Sequence, residues 1–194
     1  MINIKEIYTK SNLLSLLRLF ISIPVYFLLF KFEKSYTYKS VILGLLLAAC
    51  ITDFLDGYIA RKYHEITELG KIVDPLADKV LVGVVVLQLF FMGKIPAFYF
   101  YSVIGRDIVI FLGGIFVTKR IGKVLPSNLL GKITVTLIAS YILAVILQLD
   151  SSIPAIYYAL LYISLIFVFV SLIGYIIRAK ESLTWNKNES VQEH

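Results

Sequence analysis

Six stretches of roughly 20 mostly apolar residues set the class of this chain, because about 20 apolar helical residues cross the hydrocarbon core of a bilayer. They lie near 13–31, 38–60, 72–93, 95–118, 131–149 and 154–177. Of the residues, 59% are apolar and 16% charged, and the mean hydropathy is +0.84, which excludes a water-soluble globule. The long apolar runs show neither Gly-X-Y nor heptad periodicity, so collagen and coiled-coil readings fail, and disorder fails with them. The fold expected is an all-α integral membrane protein with six transmembrane helices. Residues 1–11, with Ile2, Ile4, Ile7 and Tyr8 among Lys5, Glu6 and Lys10, read as a short interfacial helix ahead of a membrane domain over 12–178. From 179 to 194 the chain turns polar and reads as a mobile cytoplasmic tail. The first span is longer than a signal-peptide core and lacks a small-residue cleavage site, so no cleaved leader is expected.

Charge placement gives an orientation. With the N-terminus inside, Lys5, Lys10, Arg18, Arg61, Lys62, Lys71, Lys79, Lys119, Arg120, Lys123, Lys132, Arg178, Lys180 and Lys187 fall on one side. Lys31, Lys34, Lys39 and Lys94 fall on the other, a ratio of 14 to 4 that puts both termini in the cytoplasm. The net charge of +6 and pI near 9.3 come from residues at span ends, with no basic face interleaved with aromatics. Anionic lipid headgroups fit that pattern and nucleic acid does not. The single cysteine, Cys50, rules out a disulfide framework and reads as a packing residue. Tyr36, Tyr38, Tyr63, Tyr99 and Tyr101 cluster near span ends as an interfacial belt. No internal repeat is visible, which weighs against an inverted-repeat transporter.

Four of the six aspartates fall between 53 and 78, at the inner ends of spans two and three. An ionised carboxylate at membrane depth costs on the order of 2.5–3.5 kcal/mol, so this density needs ions, partners or a wet cavity. In Thr52-Asp53-Phe54-Leu55-Asp56-Gly57-Tyr58-Ile59-Ala60-Arg61, the positions Asp53, Asp56, Gly57, Ala60 and Arg61 fall on one helical stripe. Gly70, Asp74 and Asp78 recur every four residues and share a second stripe across the short 62–69 connection. Carboxylate oxygens suit hard divalent cations such as Mg²⁺ or Mn²⁺, and no Cys or His joins the stripes to favour zinc. His64 reads as a solvated loop residue. Gly57, Ala60 and Gly70 let helices pack closely or let a phosphorylated ligand reach the backbone. Arg61 suits a headgroup anchor or a phosphate or nucleotide contact. Pro75 removes an amide donor beside Asp74 and implies a helix start or a kink there.

The string Asp53-x2-Asp56-Gly57-x2-Ala60-Arg61-x8-Gly70-x3-Asp74-x3-Asp78 resembles, position for position, the signature of the CDP-alcohol phosphotransferase (CDP-alcohol phosphatidyltransferase) family. Asn12-Leu13-Leu14, Arg18 and Pro24 extend the likeness toward the N-terminus. Thr52 to Lys79 looks most like the phosphatidylglycerophosphate synthases of that family. Gly105-Arg106-Asp107 and Gly131-Lys132 also resemble its cardiolipin synthases, which leaves the acceptor open between glycerol 3-phosphate and phosphatidylglycerol.

The resemblance implies a bacterial inner-membrane enzyme that transfers phosphatidyl from CDP-diacylglycerol to an alcohol and releases CMP. It implies two Mg²⁺ or Mn²⁺ ions held by Asp53, Asp56 and Asp74, with Asp78 as an edge ligand and general base. It implies a nucleotide site at Thr52, Asp56, Gly57, Ala60, Arg61 and Gly70, and a homodimer. For an anionic acceptor the candidates are Arg106, inside span four, and Lys119, Arg120 and Lys132 at span ends, with Arg18 and Asn12 behind them. Pairing with Asp107 is the ordinary role for Arg106, and positive-inside anchoring is the ordinary role for the three end residues. A divalent-cation transporter would string acidic residues along a pore, yet the outer halves of these spans are nearly free of charge. An intramembrane prenyltransferase would separate its Asp-rich motifs along a longer chain.

Overall fold

The computed structural model describes residues 10–63, 70–121 and 129–192, with side chains at 16–52, 55, 80–120 and 129–184. Every regular element among the described residues is helical: α1 (Lys10–Leu29), α2 (Tyr36–Tyr63), α3 (Gly70–Phe91), α4 (Ala97–Ile121), α5 (Leu129–Ile146), the single turn α6 (Leu149–Ser152) and α7 (Pro154–Gln192). Residues 1–9, including most of the expected interfacial helix, lie outside the described residues.

Local chemistry sets several ends. Ser35 caps α2 by accepting the Thr37 amide on its hydroxyl at 3.2 Å. Gly93, at φ 69°, closes α3: Lys94 N–H donates to the Leu89 carbonyl and Gly93 N–H to that of Phe90. That pair of bonds is a Schellman stop, and its left-handed residue favours glycine. Pro96 then leads into α4. α3 starts at Gly70, so Pro75 falls in its second turn and the helix does not begin there. α7 runs on from the apolar stretch through the polar tail to Gln192, since nothing between Gly174 and Gln192 breaks a helix.

The chain divides into two compact units at Lys94/Ile95. In the first, α1 packs against both α2 and α3. Its buried residues Arg18, Ser22, Val25 and Leu29 step by four, three and four along α1, and Val85, Val86, Gln88 and Leu89 supply α3's share. Lys94 and Glu33 form an ion pair at one end of this unit. In the second unit α7 packs against α4, α5 and α6. Tyr157, Leu161, Ser164, Val168 and Ser171 are all buried and repeat by four and three along α7. Thr134, Ile138, Tyr141 and Val145 do the same on α5. These are seven-residue seams. The lipid-facing side is apolar too, so these seams do not stand out in the sequence, whose apolar runs show no heptad pattern.

Large apolar side chains face outward throughout, among them Phe20, Phe27, Leu112, Phe116, Ile166 and Phe169. Such a surface is stable against lipid and not against water. The protein is a membrane protein. Ala97–Arg120, Leu129–Ile146 and Pro154–Thr184 are long and apolar enough to cross a bilayer, and the described apolar parts of the other long helices are the shorter Leu16–Leu29, Tyr36–Thr52 and Val80–Phe91. Cys50 is exposed on α2 and is not the packing residue expected. Tyr36 and Tyr101 are exposed as an interfacial belt requires, whereas Tyr99 is 0% exposed, with its ring centroid 4.6 Å from that of Tyr141. Tyr99 therefore belongs to the core, because its hydroxyl finds Ser164 at 3.1 Å.

Candidate active site

Both aspartate rows belong to the first unit. α2 is helical without a break to Tyr63, so Thr52, Asp53, Asp56, Gly57, Ala60 and Arg61 all stand on its backbone, with spacings of three, four, seven and eight from Asp53. Those are the separations that one helical face repeats. α3 carries Gly70, Asp74 and Asp78 in its first turns at intervals of four. The side chains of Asp53, Asp56, Ala60, Arg61, Asp74 and Asp78, the surroundings of Gly57 and Gly70, and the whole of His64 lie outside the described residues. By residue type, the four carboxylates carried by these two helices are oxygen donors of the kind that hard divalent ions take. Among the described residues no group of three His, Cys, Asp or Glu gathers.

Thr52 is the described member of the nucleotide set. Its hydroxyl donates to the Ala49 carbonyl at 2.8 Å, so toward a ligand it has lone pairs to offer and no proton. Arg18, ranked low in the sequence, is 1% exposed and is among the largest fully buried side chains. A cation so placed on α1, which packs against both helices of the aspartate rows, is a stronger candidate than its sequence context indicates. Asn12 has a helical backbone, with its side chain outside the described residues.

The basic candidates of the second unit separate into two kinds. Arg106 is buried, at 7% exposure, and its Nη1 donates to Asp107 Oδ1 at 2.6 Å while its Nε donates to Ser171 Oγ at 3.3 Å. Lys119 and Arg120 are exposed in the last turn of α4, where cations complement the helix dipole, and the Arg120 guanidinium lies 5.9 Å from the Phe116 ring centroid. Lys119 is 13 residues beyond Arg106, about 20 Å along a helix axis, so these two do not grip one small phosphate together. Lys132 is exposed in the first turns of α5. Two residues on, Thr134 Oγ1 bonds the carbonyls of Leu130 at 2.7 Å and Phe167 at 3.1 Å, which pins this end of α5 to α7. Sequence reasoning missed Ser171. Its signal was present as two serines, Ser164 and Ser171, one heptad apart in an otherwise apolar helix.

The family model for CDP-alcohol phosphatidyltransferase matches residues 8–170, from before α1 to about the middle of the Pro154–Thr184 stretch of α7. The chain belongs to the CDP-alcohol phosphatidyltransferase family. It is accordingly a transferase of phospholipid biosynthesis, and all eight signature positions are present on α2 and α3.

Among curated relatives, it is 42% identical over 138 residues to the CDP-diacylglycerol–glycerol-3-phosphate 3-phosphatidyltransferase of Aquifex aeolicus, covering 69% of this chain and 73% of that one. Enzymes of the same name from Rickettsia typhi and Bacillus subtilis are 51% identical over 80 residues and 39% over 89. Those two alignments span 43% and 46% of the relatives' lengths, and 40% and 46% of this chain. The family match stops one residue short of Ser171.

Proposed function

We propose that this protein transfers the phosphatidyl group of CDP-diacylglycerol to glycerol 3-phosphate, forming phosphatidylglycerophosphate and CMP. The observation that carries this reading is the complete eight-position signature on two helices of one unit, within a chain that aligns along most of its length with an enzyme of that name. Asp53, Asp56 and Asp74 would hold two Mg²⁺ or Mn²⁺ ions, with Asp78 at the edge of the site. Such ions, when bound, neutralise the pyrophosphate and ease the departure of CMP. Asp78 takes the proton of the acceptor hydroxyl. The hydroxyl oxygen then forms a bond to the phosphorus that bears diacylglycerol, the bond from that phosphorus to the CMP oxygen breaks, and its electron pair leaves on CMP.

Thr52, Asp56, Gly57, Ala60, Arg61 and Gly70 are assigned to the cytidine diphosphate. Arg106 is assigned to the acceptor's phosphate: a buried guanidinium supplies a planar fork of donors that matches a phosphate monoester. Lys119, Arg120 and Lys132 supply a positive approach to it. Six spans, with both termini and the aspartate rows on the cytoplasmic side of a bacterial inner membrane, agree with the 14 to 4 partition of Lys and Arg. The family resemblance adds a homodimer, which light scattering of the detergent-solubilised protein checks.

Purified protein given CDP-diacylglycerol and Mg²⁺ should release CMP with glycerol 3-phosphate and not with phosphatidylglycerol, inositol phosphate or serine. Release driven by phosphatidylglycerol alone would make the protein a cardiolipin synthase.

A further inference from the structure

Arg106 sits in a packed seam whose partners are in register. Tyr99 with Ser164 and Arg106 with Ser171 are both pairs separated by 65 residues, so α4 and α7 run parallel and repeat the same contact one heptad apart. Ser171 is 2% exposed. Its hydroxyl proton is committed to the Val168 carbonyl, 3.0 Å away on its own helix, so toward α4 it presents a lone pair. Arg106 Nε donates into that lone pair.

Asp107 takes Nη1 from a second direction, but its side chain is one-third exposed and it is the next residue on the same backbone, so it moves with Arg106. Ser171 is the contact that fixes the guanidinium to another helix. Two acceptors on two edges of a planar group set its plane and its rotation. The Nη2 edge takes part in neither bond.

We propose that Ser171 is a positioning residue for the acceptor: by holding Arg106 Nε it presents the Nη2 edge to the phosphate monoester. The proposal rests on the assignment of Arg106 to the acceptor's phosphate, and the variants below separate the two. The residue lies just beyond the segment the family model matches.

The test is steady-state kinetics of the purified full-length protein carrying S171A, S171V, S171T, R106A or R106A/S171A, with glycerol 3-phosphate and CDP-diacylglycerol varied in turn. Loss of one ordinary intramolecular hydrogen bond predicts a rise of roughly 5- to 10-fold in KM for glycerol 3-phosphate in S171A and S171V, with kcat within about twofold of wild type. KM for CDP-diacylglycerol stays unmoved. S171T, of the same volume as S171V but with the hydroxyl restored, recovers the wild-type KM, and R106A/S171A is no worse than R106A. Equal impairment of S171T and S171V reduces the residue to packing and overturns the proposal. So does an unchanged KM in S171A when R106A raises it. An unchanged KM in R106A overturns the assignment of Arg106, and the role of Ser171 falls with it.

Discussion

The two units use the same helical material differently. In the second, polar groups are tied to one another inside an apolar seam: Arg106 to Asp107 and Ser171, Tyr99 to Ser164, and Tyr141 to Tyr157 at 3.0 Å between hydroxyls. Its three long helices keep enough uninterrupted apolar length to cross a bilayer. In the first, the sequence places four aspartates, Asp53, Asp56, Asp74 and Asp78, on α2 and α3 within otherwise apolar stretches. Carboxylates in those positions are tolerable only where ions or ligands repay their desolvation. The contrast is one of polar content: the first unit carries the clustered aspartates in its sequence, and the second ties its polar side chains to one another.

That contrast can be broken most sharply at Asp78. D78N should lower CMP release by roughly 10²- to 10⁴-fold, the usual worth of a positioned general base, and D56A or chelation of divalent ions should also extinguish it. Retained turnover in any of these would remove chemistry from the first unit. Next comes R106A, expected to cost about 1.5–3 kcal/mol in kcat/KM for glycerol 3-phosphate, with R106K recovering only part because a point ammonium does not reproduce the fork.

The packing of the second unit sets a third, smaller effect. A Cβ on Gly113 would meet Tyr175 Cε1 at 3.0 Å, a crowding cost offset in part by the roughly 1 kcal/mol that Ala gains over Gly in a helix, so G113A should lower the unfolding temperature in detergent by the equivalent of no more than about 2 kcal/mol. Among the described residues the Tyr175 hydroxyl is buried without a hydrogen-bond partner, so Y175F should leave stability unchanged or raise it by about 1 kcal/mol. A large loss in Y175F would mean that this hydroxyl has a function in the seam. The smallest effect belongs to Cys50: C50A should shift stability by under about 0.5 kcal/mol, and a membrane-permeant maleimide should label the exposed thiol.

Much of this was legible in the sequence, for identifiable reasons. The first five long helices fall within a few residues of the expected stretches, and the sixth starts at the expected residue 154 but runs 15 residues past 177, because long apolar runs favour helix and nothing after them breaks it. The aspartate spacing was legible because 3.6-residue periodicity survives any packing. The seams were not, since a helix with lipid on one side and protein on the other is apolar all round. For the same reason Cys50 read as buried and Tyr99 as interfacial, when the reverse holds. The partnership of Arg106 with Ser171 joins residues 65 apart and depends on the register of two parallel helices, which composition does not encode.

The most direct measurement follows radiolabelled glycerol 3-phosphate into chloroform-extractable lipid, using purified protein, CDP-diacylglycerol and either Mg²⁺ or chelator. The expected result is label in phosphatidylglycerophosphate with one CMP released per acceptor, present with the ion and absent in chelator and in D78N. Label transferred equally well in chelator, or by D78N, would contradict a metal-dependent transfer centred on the aspartate rows.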